Sequence, residues 1–233
     1  MATSFGITKA PMEHHGEQWS PYVDNGGSCA CYCGRDFAVI CADTRLNLDY
    51  SIQTRDSPRL FQLTPTCALS AGGMQADVAA LVRTLRGRAA WYKFQNGREM
   101  STRALANLLS CTLYSKRFFP YSAQCVLAGI DADGSGVCFE YDAVGSYQAL
   151  PYASNGSART LMEPFLDSQV NPQHQSIQER PSGKDIPLAD AKALLREALT
   201  VGTERDIHTG DWLDMWVITA AGIQRERVPL KFD

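Results

Sequence analysis

Four of the eight cysteines crowd into thirteen residues: Cys29, Cys31, Cys33 and Cys41 in SCACYCGRDFAVIC. Thiolates bind zinc and act as nucleophiles, so this run is the first place to look for chemistry. Its spacing argues against a metal. Zinc sites separate paired cysteines by two to four residues, and here the pattern is C-x-C-x-C. On a strand, Cys29, Cys31 and Cys33 share one face with neighbours about 6.6 Å apart. Sulfurs on one zinc lie within about 4 Å of each other, which a straight strand does not offer all three. None of the four histidines supplies a Cys/His cluster of zinc spacing. The cysteines read as small apolar residues filling a tight interface. Ala30 and Tyr32, on the opposite face, are also core types, so the strand is expected to be buried on both sides.

The elements around the run follow from periodicity. After Gly26-Gly27 come three strand-like runs, SCACYCG, FAVICAD and CALSAGG, the first two joined by Gly34-Arg35-Asp36. Met74, Val78, Leu81, Val82 and Leu85 then recur at helical spacing. A second helix carries Leu105, Leu108, Leu109 and Thr112, capped by Ser101 or Thr102. Strands return as QCVLAGID and GVCFEYDA about the turn Asp133-Gly134-Ser135-Gly136. A third helix holds Ala158, Leu161, Met162, Phe165 and Leu166, and a fourth Ala191, Leu194, Leu195 and Ala198. Between them, residues 171–187 read as a long surface loop. DMWVITAAG and IQRERVPL form a last pair of strands. Strands, two helices, strands, two helices, strands is not the alternation of a parallel α/β fold. It predicts an α+β, four-layer αββα sandwich: two antiparallel sheets between helix pairs. Residues 1–20 read as an extension outside a single domain over 21–233.

The 233 residues suffice for one domain with a sizeable core. The net charge of −3, with no basic stripe, disfavours a nucleic-acid partner. No run reaches the roughly 18 apolar residues of a membrane span. The polar N-terminus has no signal-peptide core, which points to a reducing compartment and free thiols.

The stretch GGSCACYCGRDFAVICADTRL resembles the opening of a proteasome beta subunit. There a glycine precedes a catalytic threonine, an alternating strand, a turn, a second strand and ADTR. SIQTRDSPRLFQL, LYSKRFFPY, DAVGSYQ and ERDIHTGD extend the resemblance, most strongly toward the type-1 (beta-6) branch, from about Ser20 to the C-terminus. The resemblance implies the αββα fold of N-terminal nucleophile hydrolases, in agreement with the order of elements.

It also implies a chemistry. The family's threonine is the first residue after self-cleavage; its hydroxyl attacks the peptide carbonyl and the α-amine serves as base. Aligned on ADTR, whose aspartate is Asp43, the nucleophile's position is Gly27, which has no hydroxyl. The family's lysine is replaced by Arg59, which holds its proton at any ordinary pH. The S-G-S segment reads NGS, with Asn155 in place of its first serine. The D-x-x-S-G motif keeps Asp206 but carries Thr209 in place of serine. Asp43 is expected to pair with Arg59, fixing the old site as a scaffold. A one-residue slip turns the Ser28 side chain to the opposite face. Cys29 returns to the original face with its amine displaced by two residues.

The resemblance therefore implies a non-catalytic beta subunit of the 20S core particle. It implies two copies of this chain among 28 subunits, beta-5 and beta-7 as ring neighbours, no metal or other cofactor, and a cytoplasmic and nuclear location. The loop with Asp131 and Asp133 is expected near the substrate pocket of the adjacent active subunit, favouring basic side chains. Tyr114, Phe118, Phe119, Pro120 and Tyr121, with Lys116 and Arg117, suit either an interface or the domain core. The extension with His14, His15 and Trp19 is expected along a neighbour or inside the chamber. Two rival readings are an active N-terminal nucleophile amidohydrolase using Ser28 or Cys29, and a free-standing binding module.

Overall fold

The computed structural model describes residues 20–171 and 183–233. Its first sheet contains β1 (Ser28–Cys33), β2 (Phe37–Asp43), β10 (Tyr152–Gly156), β11 (Trp212–Thr219) and β12 (Gly222–Pro229), in the order β10-β1-β2-β11-β12. Its second contains β5 (Leu60–Thr64), β6 (Cys67–Gly73), β7 (Ala123–Ile130), β8 (Gly136–Tyr141) and β9 (Tyr147–Leu150), in chain order. Each pairing is antiparallel, as is a separate hairpin of β3 (Leu46–Leu48) and β4 (Ser51–Thr54).

The alternation of β1 sorts its side chains between two layers. Ala30 and Tyr32 join the core formed with α3 (Arg159–Val170) and α4 (Leu188–Thr203). Cys29, Cys31 and Cys33 point into the seam between the sheets, among Ala38, Ala42, Ala68, Ala128 and Ala153. Sheets pack about 10 Å apart, and the same seam holds Ile40, Val126, Ile130 and Ile218, so the thiols and alanines fill the spaces between larger side chains. The thiol-rich pattern is thus a packing solution. No group of three or more His, Cys, Asp or Glu side chains forms a metal-binding cluster among the described residues.

The second sheet is covered by α1 (Gln75–Asn96) and α2 (Thr102–Tyr114). Val78, Leu81, Val82, Leu85 and Ala89 form the buried face of α1, and Gly97 ends it at φ 66°. Its last turns expose Trp91 and Phe94. Ser101 caps α2, its side chain accepting from the Ala104 N–H at 3.3 Å. The αββα order is therefore present as expected. Phe118 is fully exposed and Phe119 and Tyr114 largely so, which puts these three rings on the surface, while half-buried Tyr121 packs against the core of the second sheet. Tyr22 stacks on Phe119 with ring centroids 5.5 Å apart and donates to the Pro120 carbonyl at 2.7 Å.

Five strands, β3, β4, β5, β9 and β10, were not expected from periodicity. Of the expected loop at 171–187, residues 172–182 lie outside the described residues, and Gly183–Asp185 form one 3₁₀ turn. His14, His15 and Trp19 also lie outside them.

Candidate functional site

The start of β1 is held from several directions. Asn25 N–H donates to the Gly73 carbonyl at 3.3 Å, and the Asn25 carbonyl accepts from Asn47 N–H at 3.2 Å. The Gly27 carbonyl accepts from Ser157 N–H at 3.1 Å. Gly27 itself lies at φ 92°, a left-handed conformation that side-chain-bearing residues rarely adopt.

Arg59, delivered just before β5, fills the space beside Gly27. A Cβ placed on Gly27 would sit 2.0 Å from Arg59 Cζ and 2.2 Å from its Nε. The guanidinium thus occupies the volume of the first side-chain atoms of residue 27. Arg59 and Asp43 are 1% and 0% exposed, with Nε to Oδ1 at 3.3 Å. This is ion-pair distance without hydrogen-bond alignment, since Arg59 Nε and Nη1 have no hydrogen-bond partner among the described residues. Nη2 donates to the carbonyls of Arg45 and Asn25. The expected contact between Asp43 and Arg59 is therefore present.

Asp43, at the end of β2, accepts from three backbone N–H groups: Ser28 at 2.8 Å, Gly210 at 3.1 Å and Arg45 at 3.3 Å. Burial nevertheless pushes its carboxyl up to about 6, against the opposing pull of Arg59 and those N–H donors. Burial likewise pushes the Cys29 thiol up to about 12, against a smaller lowering influence of the Ser70 hydroxyl, so it remains a protonated thiol at neutral pH.

Ser28 links two polar clusters. Its N–H holds Asp43, while its hydroxyl turns the other way. Oγ lies 2.7 Å from Thr209 Oγ1 and accepts from Ala158 N–H at 2.9 Å. Thr209 donates in turn to Asp206 Oδ2 at 2.6 Å, and Ser157 donates to the same oxygen. Gly27, Asp43 and Arg59 thus form one cluster; Asp206 and Thr209 form a second. Asn155 pairs with Cys29 across β10 and β1 and borders the first. The space bounded by Gly27, Cys29, Arg59, Ser70, Gln124 and Asn155 does not admit a water molecule. Ser28 is 2% exposed.

Asp131 and Asp133 are elsewhere. Gln124 of β7 borders the Gly27 cluster, and Asp131 follows the far end of that strand. Seven residues of strand separate them by about 23 Å. Asp131 pairs with Arg103 at 2.5 Å, and Asp133 accepts from the Ser135 N–H at 2.9 Å and hydroxyl at 2.7 Å.

Sequence reasoning missed Ser157, which joins Ser28, Thr209 and Asp206; its signal was the last residue of NGS. It also missed Asp211, fully buried at φ 70° and bound by Arg45 Nε at 2.9 Å and by Arg55. Asp211 directly follows the D-x-x-T-G motif, but its partners come from β2–β5 connections that only the fold brings near.

The αββα layering and the cluster at the head of β1 define a sandwich of the N-terminal nucleophile hydrolase type. A family model described as "Proteasome subunit" matches residues 23–218. The chain is 44% identical to proteasome subunit beta type-1 of Petunia hybrida over 216 residues, which cover 92% of this chain and 97% of the relative. It is 42% identical to the protein of that name from Dictyostelium discoideum over 224 residues, 96% of this chain and 93% of the relative. It is 37% identical to proteasome subunit beta type-6 of Saccharomyces cerevisiae over 232 residues, 97% of this chain and 95% of the relative. The chain belongs to the proteasome subunit family.

Proposed function

We propose that this protein is a non-catalytic beta subunit of the 20S proteasome core particle, building the chamber wall for ubiquitin-dependent degradation. The observation that carries this reading is the Arg59 guanidinium in the space of a residue-27 side chain. Gly27 has no nucleophilic oxygen. Arg59 replaces the lysine with a permanent cation, and no water-sized space remains for a substrate carbonyl to approach. Asp43 is held by three backbone N–H groups and Arg59 Nη2 by two backbone carbonyls, which suits a structural joint.

The rival nucleophiles are poorly placed. The Ser28 hydroxyl is engaged by Thr209 and the Ala158 N–H, and the Cys29 thiol is protonated between the sheets. Asp206 is one hydroxyl removed from Ser28, so a relay exists, but Ser28 is 2% exposed among the described residues. Exposed Phe118, Phe119, Trp91 and Phe94 support assembly, because large apolar side chains on a surface mark contact sites.

Within the particle we assign this chain two copies among 28 subunits, between beta-5 and beta-7, in the cytoplasm and nucleus. Asp131 and Asp133, remote from the chain's own Gly27, are placed by this reading at the neighbouring active subunit's pocket. Native mass measurement of the purified assembly tests the account. A particle of many different subunits with this chain present twice is expected; a stable monomer would reject it.

A further inference from the structure

The second sheet ends on β5, and an edge strand presents backbone groups that another chain can pair with. Beside β5 lies a cleft of 700 Å³ between the outer half of α1 and the Trp216–Arg225 side of the first sheet. Its size is that of a site for a small ligand or a short peptide. Leu60, Phe61, Leu63, Pro65 and Trp216 give it apolar walls.

Two arginines converge across it on one residue. Arg86 of α1 donates from Nε to the Gln62 carbonyl at 3.1 Å, with its guanidinium 5.9 Å from the Phe61 ring centroid. Arg225 of β12 donates from Nη2 to Gln62 Oε1 at 2.8 Å and lies 4.5 Å from the Trp216 ring centroid. Stacking on aromatic faces holds both side chains in place and leaves further N–H groups to donate. At one end of the cleft Lys93 already pairs with Glu99 at 2.5 Å. Neither Arg86 nor Arg225 has a carboxylate at ion-pair distance among the described residues. An apolar cleft with two preorganised, uncompensated guanidiniums over an edge strand is complementary to one kind of occupant.

We propose that the β5 cleft is a docking site for a short extended segment of a neighbouring subunit, whose carboxylate is held by Arg86 and Arg225 and whose adjacent apolar side chain enters the cleft. Pro58 and Pro65 bracket β5, and its register shifts between Gln62 and Thr64, so only two or three residues can lie along it. The site lies apart from Gly27, and its failure would leave the account of that position unchanged.

Ala90, an exposed residue of the cleft wall, is the place for a probe. The full chain carrying Ala90→benzoylphenylalanine, assembled into the particle and irradiated, is expected to cross-link one segment of another subunit. That segment should carry Asp, Glu or a C-terminal carboxylate within three residues of the adduct. Arg86→Glu with Arg225→Glu should lower adduct yield about tenfold or more. The milder Arg86→Gln with Arg225→Gln, read in the same way, should lower it in the same direction. Arg83→Glu, on α1 outside the cleft, should leave it unchanged. Adducts only on a second copy of this chain, adducts on a segment without a carboxylate, no adducts, or a yield insensitive to the Gln pair would each overturn the proposal.

Discussion

Arg59 and Gly27 are sterically reciprocal: a Cβ on residue 27 would lie 2.0 Å from the guanidinium carbon of Arg59. A side chain at residue 27 and the guanidinium of Arg59 in its present position exclude one another. Restoring a side chain at residue 27 with Arg59 in place is therefore not expected to restore a working site.

This gives a double-mutant prediction. Gly27→Thr alone should leave the chain without peptidase activity. Gly27→Ala should destabilise it by about 1–3 kcal/mol from overpacking, with a further cost of about 1 kcal/mol from φ 92°. Arg59→Ala should also destabilise, because it leaves Asp43 buried beside no cation. The double variant should be more stable than the sum of the two by at least about 1 kcal/mol, read by pulse proteolysis of this chain in the particle. Additive effects would mean that the two residues do not compete for space.

The layers and most of their strands were readable because burial imposes period-2 and period-3.6 patterns on β1, β2, β6, β7 and the four helices. Three of the missed strands, β4, β9 and β10, lack a readable apolar alternation for two different reasons. β4 is exposed along its length, and β9 is nearly so, so neither carries a hydrophobic alternation. β10, YASNG, is buried but short, mostly small or polar, and separated from β9 by Pro151 alone. Its strand character comes from pairing with β1, a contact made 120 or so residues away in sequence. The site divides similarly. Gly27, Asp43 and Arg59 were identifiable one by one. That Arg59 lies in the volume next to Gly27, and that Ser28 turns toward Thr209, depended on the packing of β5 and β10 around β1.

Asp43 predicts a pH dependence. Its folded pKa is raised from 3.8 to about 6, so the native state binds this proton more tightly than the unfolded chain does. The corresponding stability is present below about pH 4 and is lost as pH rises through about 6, roughly 3 kcal/mol in all. Thermal unfolding of the particle between pH 4 and 7 should show this segment for the wild-type chain, and Asp43→Asn should flatten it. Parallel profiles would contradict the shift.

Asp131 and Asp133 predict an effect on a neighbour. Asp131→Asn with Asp133→Asn should lower cleavage of substrates with basic side chains at the adjacent active subunit by roughly two- to fivefold, the scale of exposed charge pairs. The other catalytic subunits serve as controls. An unchanged cleavage preference would sink the assignment.

A chain that supplies structure and no nucleophile should escape acylation at its N-terminal strand. The most direct test treats the assembled particle with an electrophile that acylates N-terminal nucleophiles, then measures the intact mass of every subunit. Adducts are expected on the catalytic subunits, with this chain unmodified and retaining residues before Gly27. An adduct on Ser28 or Cys29, or a mature chain that begins at either residue, would contradict it.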